Sequence, residues 1–172
     1  ANQITLGAAT RFFDDGYKER FSLAFGQIYY IDLPKNLDET SVNFSAWAIE
    51  SELNLNDHFF VRGSLEYDSN VNEMQFANAT AEYRDTNFFV QSSYRYVSRN
   101  YIASTIGSNN LDLITKDGIS QIGLSTGLSL TENIAMKGEY FYDTTQSMML
   151  EGLVQLTYTS DCWVIGFGYN EY

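Results

Sequence analysis

The chain is poorest in the residues that most often mark a chemical site or a break in structure. Among 172 residues there is one cysteine, one proline and one histidine. A lone cysteine excludes an internal disulfide, and in an oxidising compartment the leftover thiol calls for a partner elsewhere. The single proline, Pro34, leaves the rest of the chain without the residue that interrupts a strand ladder. Basic residues are scarce: 10 Lys and Arg stand against 22 Asp and Glu, for a net charge of -12. Nucleic acid needs clustered cations, so that class of partner is excluded. No apolar run approaches the roughly 20 residues of a membrane helix, and no segment holds a helical period over two turns. The chain opens on Ala1 rather than Met and shows no signal peptide, which reads as a mature or truncated product.

What is present is a long series of alternations. The composition is 44% hydrophobic and 16% aromatic, which disfavours disorder. In the hairpin from Met148 to Tyr169, apolar residues recur at every second position. Met148, Leu150, Gly152, Val154, Leu156 and Tyr158 share one phase, and Trp163, Ile165, Phe167 and Tyr169 share one phase of the second arm. A period of two is the strand signature, because successive side chains point to opposite faces. The same plan predicts strands at about 3–12, 19–31, 44–55, 59–68, 74–84, 88–97, 119–130 and 134–142. With the last hairpin this is an all-β antiparallel meander of about ten strands. In the second strand the run Ile28-Tyr29-Tyr30-Ile31 breaks phase and predicts a bulge there.

Connection lengths alternate as well. Those after strands one, three, five, seven and nine are tight, those after two and six long, and those after four and eight intermediate. The longer ones therefore emerge at one end of the sheet. Outer-membrane barrels have this asymmetry, and their strands are too short for a helix-based hydropathy search. A transmembrane β-barrel, or a segment of a larger barrel wall, is the expected architecture.

The two phases differ in chemistry. One carries Arg11, Glu50, Glu52, Arg62, Glu66, Glu82, Arg84, Arg95, Lys137 and Glu139, and is the expected lumen face. Glu151 shares that phase. The other carries aliphatics in mid-strand, with Tyr67, Tyr83, Tyr96, Tyr142, Tyr158, Trp163 and Tyr169 toward strand ends. Rings with a polar tip fit an interfacial aromatic belt there. The alternative is a soluble β-barrel with its apolar face turned inward around a small apolar ligand. It has trouble seating this many aromatics in a narrow interior.

Chemistry-bearing groups are few. His58 sits in a tight turn and reads as a solvated turn histidine; as a catalytic base it would anchor an outer-membrane enzyme on a ten-strand barrel. Asp14-Asp15 and Asp112/Asp117 are weak candidates for a divalent cation. No nucleophile triad, phosphate loop or metal-ligand spacing appears, so neither enzyme, cofactor nor metal is expected. Cys162 has two readings: a small buried residue in a strand, or a covalent tether at a tight-turn end facing an oxidising periplasm.

Several stretches, in order, resemble one family: ANQITLGAATRFFDD, ERFSLAFGQIYY, SYRYVSRNYI, DGISQIGLS, YFYDT and LTYTSDCWVIGFGY. The chain resembles LptD outer-membrane lipopolysaccharide-assembly proteins over nearly its whole length. The resemblance implies a late portion of a large barrel, without the periplasmic jellyroll, the early strands or the closing strand. It implies lipopolysaccharide as cargo, an LptE-like lipoprotein plug, an LptA-like bridge reached through the missing domain, outer-membrane lipid as surroundings, and a Gram-negative source. A small stand-alone outer-membrane barrel is the variant of this reading. The family's turn often carries two adjacent cysteines bonded to the periplasmic domain. Here Asp161 replaces the first and Cys162 matches the second, which implies one interdomain disulfide at most through this turn.

Overall fold

The computed structural model describes residues 2–31, 43–106 and 117–172. Ten strands form one sheet in sequence order, β1 to β10, each antiparallel to the next. They are β1 (Gln3–Phe13), β2 (Glu19–Tyr30), β3 (Trp47–Asn54), β4 (Phe59–Asp68), β5 (Glu73–Arg84), β6 (Phe88–Val97), β7 (Ile119–Ser129), β8 (Ile134–Asp143), β9 (Met148–Thr159) and β10 (Val164–Glu171). The predicted meander is the observed one.

The turns form where short polar side chains replace the ladder with local hydrogen bonds. Asp14 Oδ1 accepts from Gly16 N at 2.9 Å, Asn56 Oδ1 from His58 N at 2.8 Å, and Asp143 Oδ1 from Thr145 N at 2.8 Å. Thr131 Oγ1 does the same for Ile134 N at 3.0 Å.

Register keeps the two phases apart across the whole sheet. One row runs Phe12, Phe21, Leu53, Val61, Ala81, Ser92, Leu124, Tyr140, Gly152, each residue paired with the next. One residue out of phase lies the row Arg11, Ser22, Glu52, Arg62, Thr80, Ser93, Gly123, Phe141, Glu151. A slip of one residue anywhere would mix them.

Four sequence expectations are corrected. β2 pairs with β1 through Tyr30 without a shift, so Ile28–Ile31 is no bulge against β1 and Ile28 and Tyr30 take the charged face; the irregularity there is on the β3 side, where three steps from Gly26 to Tyr29 oppose four from Ala48 to Phe44. Against β1 the irregularity lies between Phe12 and Phe13, where Arg20 is the extra residue opposite them. A second bulge, at Phe141/Tyr142, puts Met149 opposite Tyr142 and ends the single phase expected from Met148 to Tyr158. The connections at 69–72 and 144–147 are as short as the turn at 55–58, so only those after β2 and β6 are long. A helix, α1 (Arg99–Ile106), opens the β6–β7 connection. Ser98 caps it, its Oγ accepting from Tyr101 N at 3.2 Å.

Burial is nearly absent. Among the described residues Val97 is the only buried hydrophobic residue, at 6% exposure. It sits beside buried Ser98 at the foot of α1. There Gly118 has φ +89°, and a Cβ would lie 2.6 Å from the Val97 carbonyl oxygen. The sheet therefore has two open faces and two edges: β1 pairs only with β2, and β10 only with β9.

Candidate functional site

The charged face is the largest assembly of functional groups. All ten of its predicted residues, Arg11 to Glu139, fall on one side of the sheet by register. Glu50 and Arg95 lie along one row, joined through Ser64 and Asn78. Glu52 and Arg62 are directly opposite, with Arg62 Nε 3.3 Å from Glu52 Oε1. Two pairs form along single strands, where residues two apart share a face: Arg84 with Glu82 at 2.5 Å, and Lys137 with Glu139 at 2.8 Å. These partly exposed pairs contribute about 0–1 kcal/mol each. A hollow of about 340 Å³ opens on this face over β1 to β5, lined by Arg11, Ser22, Glu50, Glu52, Arg62 and Asn78 among others.

Periodicity did not single out the aromatic residues of this face. Phe60, Phe89 and Phe141 stand in its rows beside Asn54, Gly127 and Gly123. A Cβ on Gly127 would run into the Phe89 ring, and one on Gly123 into Phe141. The glycines make room for rings laid against the wall. The signal was available as Phe or Gly at polar-phase positions.

On the opposite face lie the predicted belt residues. Tyr83 and Tyr158 are next to last in strands that end at tight turns, and Trp163 occupies such a turn. Tyr67, Tyr96, Tyr142 and Tyr169 lie one or two residues from the far ends of theirs. Ring pairs Tyr83–Phe88 at 5.5 Å and Tyr158–Trp163 at 5.1 Å cluster at the tight-turn end, and Tyr29–Phe44 at 5.0 Å at the other. Between the ends Leu124 is 47% exposed, and Ile165, opposite Tyr158 near the tight-turn end, is 44% exposed. Gln27, the amide of this face, has its Nε2 donating to the Ser45 carbonyl at 3.0 Å.

His58 is exposed, stacks on Tyr83 at 6.1 Å, and has Nδ1 2.9 Å from the Arg84 carbonyl. Among the described residues no charged partner orients it. Cys162 is exposed in its turn, not buried in a strand. Asp14 serves its own turn and Arg20, whose Nε donates to Asp14 Oδ2 at 2.7 Å. Asp112 lies outside the described residues. Among those described, no three His, Cys, Asp or Glu side chains gather as metal ligands.

The tight-turn end holds a cluster that sequence reasoning missed. Lys18 Nζ lies 2.5 Å from Asp57 Oδ2, and Arg20 Nη1 lies 3.3 Å from Asp57 Oδ1. The Lys18 ammonium, through hydrogen bond and charge, holds the Asp57 carboxyl below its ordinary 3.8. The Lys18 backbone N–H, and then Arg20, lower that of Asp14.

A ten-strand antiparallel meander with one charged and one apolar face defines the class: an all-β protein whose sheet has no core of its own. The family model described as "LptD: LPS transport system D" matches residues 1–134. The "LPS-assembly protein LptD" of Vibrio vulnificus strain YJ016 is 49% identical over 174 residues, covering 99% of this chain and 22% of that protein. The Vibrio cholerae protein of the same name is 46% identical over 99% of this chain and 23% of its own length. That of Pectobacterium atrosepticum is 39% identical over 99% and 22%. The chain belongs to the LptD family. It spans under a quarter of the length of these curated relatives.

Proposed function

We propose that this chain forms part of the wall of an outer-membrane β-barrel that assembles lipopolysaccharide, with the apolar face in hydrocarbon and the charged face toward the lumen. One observation carries the reading: a predominantly apolar face spans ten registered strands that enclose no core among the described residues. In water that face would be a severe aggregation liability. In a bilayer it is solvated, and the backbone is satisfied by the ladder itself. The two open edges then need partners, because each unpaired backbone group in lipid costs several kcal/mol. The rest of the polypeptide supplies those strands. The partial barrel domain expected from sequence is kept as part of this proposal.

The cargo is lipopolysaccharide, in keeping with the names of the relatives. The charged face meets its sugars or an LptE-like plug, and Arg11, Arg62, Arg95 and Lys137 are the cations available to its phosphates. The LptA-like bridge joins through a domain outside this chain. Cys162, exposed at a tight turn, is the tether to that domain. Non-reducing peptide mapping of the complete polypeptide is expected to find Cys162 in a disulfide with it; Cys162 recovered only as free thiol would remove that role. For the wall itself the test is extraction. The protein is expected to stay with the membrane through salt and carbonate washing. Release without detergent would favour the soluble barrel instead.

A further inference from the structure

We propose that the β2–β3 seam is a hinge in the wall, and that Asp57 with Lys18 and Arg20 is the clasp that holds it shut at the tight-turn end. This does not rest on which face meets lipid. The seam has the shortest ladder between neighbouring strands of the sheet. β2 and β3 share six registered pairs, from Phe21–Leu53 to Gly26–Ala48, whereas every other neighbouring pair shares eight or more. Beyond Gly26 the ladder gives way to mixed bonding. Ile28 N donates to the Ser45 hydroxyl at 2.9 Å, Tyr30 N donates to the Asn43 carbonyl at 2.7 Å, and Tyr29–Phe44 is an isolated bridge.

At the other end of the seam the two turns are joined by charge. The 14–18 turn is closed by Asp14, which accepts from Gly16 N and Lys18 N. The 55–58 turn is closed by Asn56, which accepts from His58 N and Phe59 N at 2.8 Å each. Asp57 contributes to neither closure. Its two oxygens face Lys18 and Arg20 of the neighbouring hairpin. Arg20 reaches them because it is the extra residue of the β1–β2 bulge, and bulges re-aim side chains. Both strands of the seam also line the hollow on the charged face, with Ser22 and Ala24 on β2 and Glu50 and Glu52 on β3. Rotation at the seam therefore changes the width of that hollow.

Asp57→Asn removes the link between hairpins and leaves both turns closed, whereas Asp14→Asn weakens one turn and loosens Arg20 but leaves the Lys18–Asp57 pair. Backbone hydrogen exchange is read on the complete polypeptide in outer-membrane vesicles. Asp57→Asn is expected to speed exchange in 21–26 and 48–53 by about threefold, the scale of an exposed ion pair, with 88–97 and 119–129 unchanged. About 1 M salt screens exposed charges and is expected to do the same to the unmodified protein and to add nothing to Asp57→Asn. Asp14→Asn is expected to speed exchange at the seam less than Asp57→Asn does, since Lys18 keeps its bond to Asp57. No acceleration in Asp57→Asn, an equal acceleration in both seams, or an equal effect of the two substitutions would overturn the clasp.

Discussion

On one side of β7, Ile122 and Leu124 are nearly half exposed and touch other apolar residues only along the sheet. On the other side, Gln121, Gly123 and Ser125 stand beside Arg95, Phe141 and Glu139. One strand of eleven residues thus carries two surfaces with different requirements. The apolar side has large side chains, no partners above it and few hydrogen bonds, such as that from Thr126 Oγ1 to the Phe89 carbonyl at 3.0 Å. The charged side has ion pairs, a hollow, and rings seated over glycines. The difference teaches that each face is built for its own solvent, and that the sheet is stabilised by its surroundings as much as by itself.

The contrast breaks most severely when charge crosses it. Leu124→Arg, at mid-strand, is expected to cost about 2–4 kcal/mol, as for arginine on the lipid face of a barrel near mid-bilayer, and Ile165→Arg, opposite Tyr158 near the tight-turn end, about 0–1 kcal/mol. Ser125→Arg, the residue after Leu124 and on the charged face, is expected to cost far less than Leu124→Arg. Denaturant titration in lipid vesicles measures all three, and equal costs would erase the distinction. A second break is steric. Gly127→Leu drives a side chain into the Phe89 ring and is expected to cost about 1–3 kcal/mol by overpacking. Phe89→Ala in the same molecule is expected to return part of that loss.

Smaller effects sharpen the comparison. A double-mutant cycle on Glu52 and Arg62 is expected to give a coupling of about 0–1 kcal/mol, since Arg62 is well exposed. Acid acts at the tight-turn end. Asp14 and Asp57 have folded-state values below the ordinary 3.8, so their contribution is fully present above that pH. It is lost as pH falls below 3.8 through the lowered values, when the unfolded chain binds protons first. Protection at the β2–β3 seam, measured against the intrinsic exchange rate at each pH, is expected to fall in that window and to hold steady from pH 5 to 7.

Much of this was legible in the sequence, because a period of two survives every change of neighbour. β4 and β6 have the bounds that alternation predicts, and the ten charged-phase residues share a face. Alternation fails where a side chain replaces the ladder. β3 begins at Trp47 rather than Phe44 because Ser45 offers its hydroxyl to Ile28. It fails again at α1, whose eight residues are too few to declare a helical face. The cluster around Asp57 was invisible for a different reason. Its partners are 37 and 39 residues away, and only the packing of two hairpins brings them together. The seats of Phe89 and Phe141 are likewise cross-strand facts that no single strand records.

The central claim is the direction of the apolar face, and nitroxide accessibility tests it directly. Spin labels at Leu124 and Ile165, in the complete polypeptide reconstituted in a bilayer, are expected to relax strongly with lipid-soluble oxygen and weakly with a water-soluble nickel chelate. Labels quenched by the chelate and shielded from oxygen would contradict the account.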